Sequence, residues 1–303
     1  MEQNLNQELE KAFLALDGKR VKSLLEMGAD KNHSVRSRLL FSCMGSKPDP
    51  HHGRASYPKR LEEYENKLKL AELLLQNGAN PNVCDENYTY DSPLTDSLYN
   101  CNYKLATLLK KYGANIDIRD FAGDTPLLTF SENIDCARLP EMKFLCKNGA
   151  NINAKNSFNG KNALMNITGW DVVCASDLFM ETQWVLKPVK YLVDNGINVN
   201  AVDKDGKTAL IHSLSQNWDD YYDEFDEIAL KYKDNFNKLF YYDIPKILYA
   251  NGARIDIVDN SGCSAMDYAN RNNIELRLFT RAIDNANRIL RNRIIKSETT
   301  MTK

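Results

Sequence analysis

The residues best equipped for chemistry in this 303-residue sequence are its four histidines and seven cysteines. His51 and His52 stand side by side next to Asp49, with Cys43 upstream, a set of imidazole, thiolate and carboxylate donors of the kind that holds zinc. The same stretch, with Lys47, Pro48, Asp49, Pro50 and Gly53, also reads as an exposed loop, because two adjacent ligands do not define a tetrahedral shell. His212 follows Ile211 at the expected start of a helix, where an imidazole either serves acid–base chemistry or packs and hydrogen-bonds between neighbouring elements. Asp203-Lys204-Asp205-Gly206 looks like the opening of a calcium loop, but Leu214 occupies the position where the bidentate glutamate belongs, so the four residues read as a turn.

No phosphate-binding loop, dinucleotide fingerprint, His-Glu-x-x-His helix or nucleophile elbow occurs anywhere in the sequence. Asn87-Tyr88-Thr89 and Asn166-Ile167-Thr168 match the glycosylation pattern, which has meaning only on a secreted chain. The reading is therefore a protein that is not an enzyme, with no catalytic residue, no bound metal and no cofactor. The alternative is an enzyme with its site in the insertions, around His51, His52 and Asp49.

Charge and composition narrow the partners. Lysine and arginine (39) balance aspartate and glutamate (41), so no global field collects nucleic acid or anionic membrane. The first residues lack a basic and then apolar leader, and no apolar run is long enough to span a bilayer. Cys43, Cys84, Cys101, Cys136, Cys146, Cys174 and Cys263 are scattered and odd in number, which suits reduced thiols. A cytoplasmic protein is expected, or one delivered into a host cytosol if it is an effector.

The elements that position any site are set by two recurring phrases. The first closes a leucine-rich helix with glycine: Gly28-Ala29-Asp30, Gly78-Ala79-Asn80, Gly113-Ala114-Asn115, Gly149-Ala150-Asn151, Gly196-Ile197-Asn198 and Gly252-Ala253-Arg254. A left-handed residue ends a helix best when it has no Cβ, which is why glycine recurs there. The second phrase opens a helix with a hydroxyl or amide, then proline or alanine, then an apolar residue. It appears as Ser92-Pro93-Leu94, Thr125-Pro126-Leu127, Asn162-Ala163-Leu164, Thr208-Ala209-Leu210 and Ser264-Ala265-Met266, with a weaker Ser37-Arg38-Leu39.

From the last five glycines to the next helix start the chain runs 14, 12, 13, 12 and 12 residues, a near-constant segment that predicts a hairpin. From each start to the following glycine it runs 41, 21, 24, 34 and 44 residues, so the length variation falls between the two helices of a unit. Prolines 140, 188 and 245 are expected in the first turns of outer helices.

These phased motifs resemble the ankyrin-repeat family, whose repeat is about 33 residues long with a Thr-Pro-Leu-His start. The resemblance covers about residues 5 to 280. It implies an all-α solenoid of about seven helix-turn-helix units joined by short β-hairpin loops. The family's histidine directly after leucine is absent from every unit, and three units carry insertions. The expected organisation is a capping repeat over residues 1–32, repeats two to six over 33–256 with insertions at about 45–65, 168–186 and 216–242, and a capping repeat with a basic amphipathic helix over 257–303.

Proteins of this family bind other proteins through hairpin tips and inner helices, which makes the tips the first place to look for a site. Four residues before each helix start, the tip position reads His33, Tyr88, Phe121, Phe158, Lys204 and Asn260. At a repeat spacing of about 10 Å, three consecutive rings would form a line about 20 Å long, and aromatics dominate binding hot spots. They would otherwise fold back and cover the backbone of their own hairpin or a neighbouring repeat.

A second candidate is the insertion Trp218-Asp219-Asp220-Tyr221-Tyr222-Asp223-Glu224-Phe225, part of a 25-residue stretch with nine aromatics. Alternating acids and rings could steer and bury against a basic surface, or pack upon themselves. The candidate partner-binding residues are thus Tyr88, Phe121, Phe158, Lys204, Trp218, Asp219, Asp220, Tyr221, Tyr222, Asp223 and Phe225. Leu276, Phe279, Ile283, Ala286, Leu290 and Ile294 recur at helical spacing among five arginines, which reads as a terminal cap or as an attachment helix for anionic surfaces.

The expected function is to bind another protein and sequester, inhibit or recruit it, the chain being monomeric when free. Nucleic acid and membrane are not the expected partners, although attachment through the basic C-terminal helix is the remaining alternative.

Overall fold

The structure is a computed structural model that describes residues 2–32, 40, 43, 45–49, 56–83, 92–132, 138–169, 183–215, 242–272 and 274. These residues form helices joined by turns, with no strand among them beyond isolated bridges pairing Lys155 with Asn162 and Val258 with Ser264. The chain divides into two compact units, Met1–Pro126 with Lys147–Ala150, and Leu127–Cys146 with Asn151–Lys303.

The first unit contains α1 (Glu2–Leu14), α2 (Gly18–Glu26), α3 (Tyr57–Gln76), α4 (Pro93–Tyr99) and α5 (Tyr103–Lys111). Helices α1 with α2, and α4 with α5, pair as antiparallel hairpins, while α2, α3 and α5 pack side by side as one row. Leu9, Phe13, Val21, Leu24, Leu74, Leu94, Leu98, Leu105 and Leu109 lie on these helices and are almost wholly buried. At 20 residues α3 is more than twice as long as α2 or α5, so part of the expected insertion at 45–65 is helix rather than loop. Its inner end is fixed by Tyr64, whose hydroxyl donates to Asn102 Oδ1 at 2.8 Å; Asn102 in turn caps α5 by accepting from Leu105 N.

The second unit contains α6 (Pro126–Glu132, of which Pro126 falls in the first unit), α7 (Leu139–Lys147), α8 (Ala163–Thr168), α9 (Gln183–Asp194), α10 (Ala209–Ser215), α11 (Ile244–Ala250) and α12 (Ala265–Arg271). Helices α8, α10 and α12 form an inner row, and α9 and α11 an outer one. Helices α8 and α10 are short and buried nearly all round, Ala163 through Thr168 without exception, with Asn166, His212 and Ser213 buried among their apolar residues, whereas α12 buries only Ala265 and Ala269.

Both recurring phrases do what their chemistry predicts. Ser92, Asn162, Thr208 and Ser264 each accept the N–H of the residue three positions on, and Ser264 and Asp267 complete a reciprocal capping box. At the other end the six repeat glycines take φ between +80° and +92°, and the following residue closes back on the helix, as in Ala79 N to Leu74 O at 3.0 Å and Ile197 N to Leu192 O at 3.1 Å. One expectation fails: Pro188 does not open α9 but lies inside it. The helix runs back through proline to Gln183, giving up one rung of its hydrogen-bond ladder.

Candidate functional site

Five of the six hairpins are built by asparagine and aspartate in a repeating role. The residue two after the repeat glycine accepts the N–H of the residue two further on, as in Asn82 N to Asn80 Oδ1 and Asn200 N to Asn198 Oδ1. That next residue then reaches the following repeat. In the first unit Asn32 Oδ1 accepts Asn80 N at 2.9 Å, and Asn82 Oδ1 accepts Asn115 N at 2.7 Å. In the second unit Asn153 accepts Asn198 N at 2.7 Å, and Asn200 accepts Arg254 N while its Nδ2 donates to Gly252 O, both at 2.8 Å. These amides bridge backbone donors and acceptors that helix ends leave unsatisfied.

At the base of each turn stands another carboxylate or amide. Asn156 Oδ1 accepts Phe158 N and Asn159 N; Asp203 Oδ1 accepts Asp205 N and Lys207 N; Asp259 Oδ1 accepts Ser261 N and Cys263 N. A second glycine, at 123, 160, 206 and 262, closes the turn with φ of 76–78°.

In two repeats the remaining carboxylate oxygen is latched to the inner helix. Asp203 Oδ2 lies 2.7 Å from His212 Nε2, and Asp259 Oδ2 accepts the Tyr268 hydroxyl at 2.7 Å. His212 and Tyr268 occupy the same position, four residues after the cap. Burial pushes both carboxyls upward, but the His212 or Tyr268 hydrogen bond and the backbone N–H groups outweigh it and hold each below its ordinary value. The bond to Asp259 raises Tyr268 to about 12. His212 also lies against Gly169, where an added Cβ would approach Nδ1 to 2.8 Å.

The oxygens of Asp203 are taken by two N–H groups and an imidazole, so the calcium-like stretch is a turn. His212 packs and bonds within the stack, and no group of three or more metal-binding side chains occurs among the described residues. His51, His52, Tyr88, the Trp218–Phe225 insertion and the arginine-rich C-terminal stretch lie outside the described residues.

Of the candidate tip residues, Phe121 in the first unit is 61% exposed and Phe158 in the second 65%. More than half of the surface of each of these two residues is exposed. Lys204 is exposed yet anchored: its backbone N–H donates to Asn159 O at 2.9 Å and its ammonium to Ser157 O at 3.1 Å. Asn260 repeats the pattern one tip further on, N to Asp205 O and Nδ2 to Lys204 O, both at 2.8 Å. Lys155 Nζ donates to Val202 O at 2.6 Å. Three successive tips of the second unit are thus stitched into one ledge.

Seven large hydrophobic side chains are exposed among the described residues, and four of them, Phe121, Phe158, Val202 and Val258, belong to hairpins. The sequence reading missed both valines, each directly before the carboxylate at the turn base. It also missed the bridging asparagines, although Asn recurs at the second and fourth positions after Gly78, Gly149 and Gly196.

Paired helices stacked in two rows, punctuated by glycine and joined by bonded hairpins, define a helical repeat protein. No family model matches the sequence, and neither does any curated protein. Among solved structures the chain is similar to the ankyrin-repeat domain of Bcl-3, titled a unique member of the IkappaB protein family, at 16% identity and a TM-score of 0.56, over 89% of this chain and 96% of that one. It is also similar to EF0377, an ankyrin repeat protein, at 21% identity and a TM-score of 0.46, over 89% of this chain and 94% of that one. The fold of this chain is the ankyrin-repeat fold. No helix among the described residues is long and apolar enough to cross a membrane.

Proposed function

We propose that the chain is a protein-binding module that holds, and thereby sequesters, inhibits or recruits, a partner protein on its hairpin tips. The observation that carries this reading is the concentration of exposed apolar side chains on tips whose backbones are bonded to one another. Water solvates Phe158, Val202 and Val258 poorly, and a folded chain keeps such groups outside at a cost unless something covers them. A ledge already fixed by hydrogen bonds loses little conformational entropy when a partner docks, so more of the buried apolar area appears as affinity.

Phe121, Phe158 and Lys204 are the described candidates for contact. Tyr88 and the insertion residues Trp218, Asp219, Asp220, Tyr221, Tyr222, Asp223 and Phe225 are proposed as further contacts on their sequence pattern alone. The test is capture of interacting chains by the wild-type protein and by F121A and F158A variants. These substitutions lie on the surface and leave stability within about 0.5 kcal/mol, while a hot-spot ring lowers affinity by about 2 kcal/mol or more. Unchanged capture by both variants rejects the tips as the docking face.

A further inference from the structure

The tip ledge of the second unit is basic as well as apolar, and this fixes the kind of partner it fits; the argument rests on the docking role proposed above. Four lysines belong to its hairpins: Lys155 and Lys204 are exposed, Lys161 and Lys207 half-buried. Among the described residues none of the four has a carboxylate within ion-pair distance; the ion pairs of this unit join Arg138 to Glu141, His212 to Asp203 and Arg254 to Asp256. The acids that balance the lysines in the sequence are turned inward. Asp203 is 8% exposed and Asp259 5%, and both carboxylates are occupied by the turn and the latch. Asp205 is the acid left on the exposed surface of these two turns.

The lysines are also positioned. Lys155 and Lys204 each spend one donor on a carbonyl of the neighbouring hairpin, which leaves two N–H donors on each ammonium. Lys207 lies 5.7 Å from the Tyr268 ring centroid. Charges held in place steer and orient an oppositely charged partner at little entropic cost. Among them stand Phe158, Val202 and Val258, one ring and two branched aliphatics.

We propose that this ledge binds an acidic polypeptide segment carrying apolar or aromatic anchors, the carboxylates meeting Lys155, Lys161, Lys204 and Lys207 and the anchors covering Phe158, Val202 and Val258. A polynucleotide would use the same charges but has nothing for the two valines; a single ring offers it one stacking platform where single-strand binders use several. The chain's nearly balanced total charge also provides no wide phosphate-collecting field.

The test uses the full chain and short fluorescein-labelled peptides in which phenylalanine alternates with glutamate or, in the control, with glutamine. The glutamate peptide binds at least about tenfold more tightly than the glutamine peptide, and the preference shrinks as salt is raised. Replacing the four lysines by glutamine weakens binding of the glutamate peptide by about tenfold or more, replacing them by arginine does not, and F158A weakens both peptides. The comparison of the two peptides on the wild-type chain needs no variant to fold. Equal binding of the two peptides, both lost with F158A, leaves the ledge as a docking surface and overturns its acidic partner. Tighter binding of an oligothymidylate of matched charge overturns it in favour of nucleic acid. Binding of neither peptide overturns it as well, and if F121A and F158A then leave partner capture unchanged the docking role fails with it.

Discussion

Asn200→Ala separates what holds neighbouring repeats together from what merely fills them. Its side chain makes two hydrogen bonds to the next repeat, accepting from Arg254 N and donating to Gly252 O, both at 2.8 Å. A hydrogen bond contributes about 0.5–1.5 kcal/mol net, so two give about 1–3 kcal/mol. The atoms left behind are near solvent and can bind water, which places the expected loss in the lower half of that range, about 1–2 kcal/mol. Asn195→Ala is the control, because Asn195 Nδ2 donates to Tyr191 O at 2.7 Å within a single helix end and so gives up one local bond. In repeat proteins the coupling between neighbours, rather than each unit's own stability, makes unfolding cooperative. Urea unfolding followed by far-ultraviolet circular dichroism therefore shows a lower midpoint and a shallower transition for Asn200→Ala, and a smaller midpoint change with unchanged slope for Asn195→Ala. Equal effects of the two substitutions, with equal slopes, refute the coupling role of the asparagine bridge.

Gly206→Ala places a methyl at φ +78° and within 2.8 Å of Asn260 Oδ1 and 3.0 Å of Asn260 N, so it costs about 2 kcal/mol or more in urea unfolding and disturbs the tip-to-tip bonds; a loss under about 0.5 kcal/mol contradicts the packing. His212→Ala leaves a nearly inaccessible Asp203 carboxylate with its backbone donors alone and lowers stability by about 2–4 kcal/mol, whereas a merely space-filling imidazole would lose its effect in His212→Leu. Because Asp203 and Asp259 titrate below the ordinary carboxylate value when folded, their contribution is present above about pH 4 and is lost as pH falls through their folded values. Tyr268 has the opposite sign: raised to about 12 when folded, it stabilises fully below about pH 10 and ceases to do so as pH rises towards 12, a loss that Tyr268→Phe removes from the alkaline limb of the stability profile.

The fold was legible in the sequence because two of its requirements are narrow. Helix ends that turn left-handed call for glycine, and helix starts call for an oxygen-bearing cap, so Gly78, Gly113, Gly196, Ser92, Thr208 and their equivalents carry the period in their identities. The starts of the outer helices are less uniform: Asp17 and Asn102 cap α2 and α5, whereas Ser56 before α3 makes no capping bond. Alpha3 begins at Tyr57 and α9 at Gln183, and α9 runs on through Pro188, a local breaker that does not end it.

The candidate site was partly legible. Phe121 and Phe158 stood out by type at an equivalent position, and their exposure follows from a turn that points away from the helices. Val202 and Val258 did not stand out, since valine next to a turn is ordinarily read as strand-like core. Nor did the inward rotation of Asp203 and Asp259, which leaves the lysines of the same hairpins without a carboxylate at ion-pair distance, Lys207 acting on Asp259 only from further away: formal charge in a sequence does not say which sign faces water. The latches share an aspartate, Asp203 or Asp259, but their helix-side partners His212 and Tyr268 differ in type, and only the common position four residues after the cap links those two.

The most direct measurement is photo-crosslinking from the ledge itself. A photoreactive phenylalanine analogue at position 158, on the second unit's exposed tip, and another replacing Lys190, exposed on α9, are illuminated in lysate of the source cells. The account predicts a discrete foreign polypeptide joined to position 158 and absent from position 190. Crosslinks from 190 alone, or the same species from both positions, would contradict a docking surface on the hairpin tips.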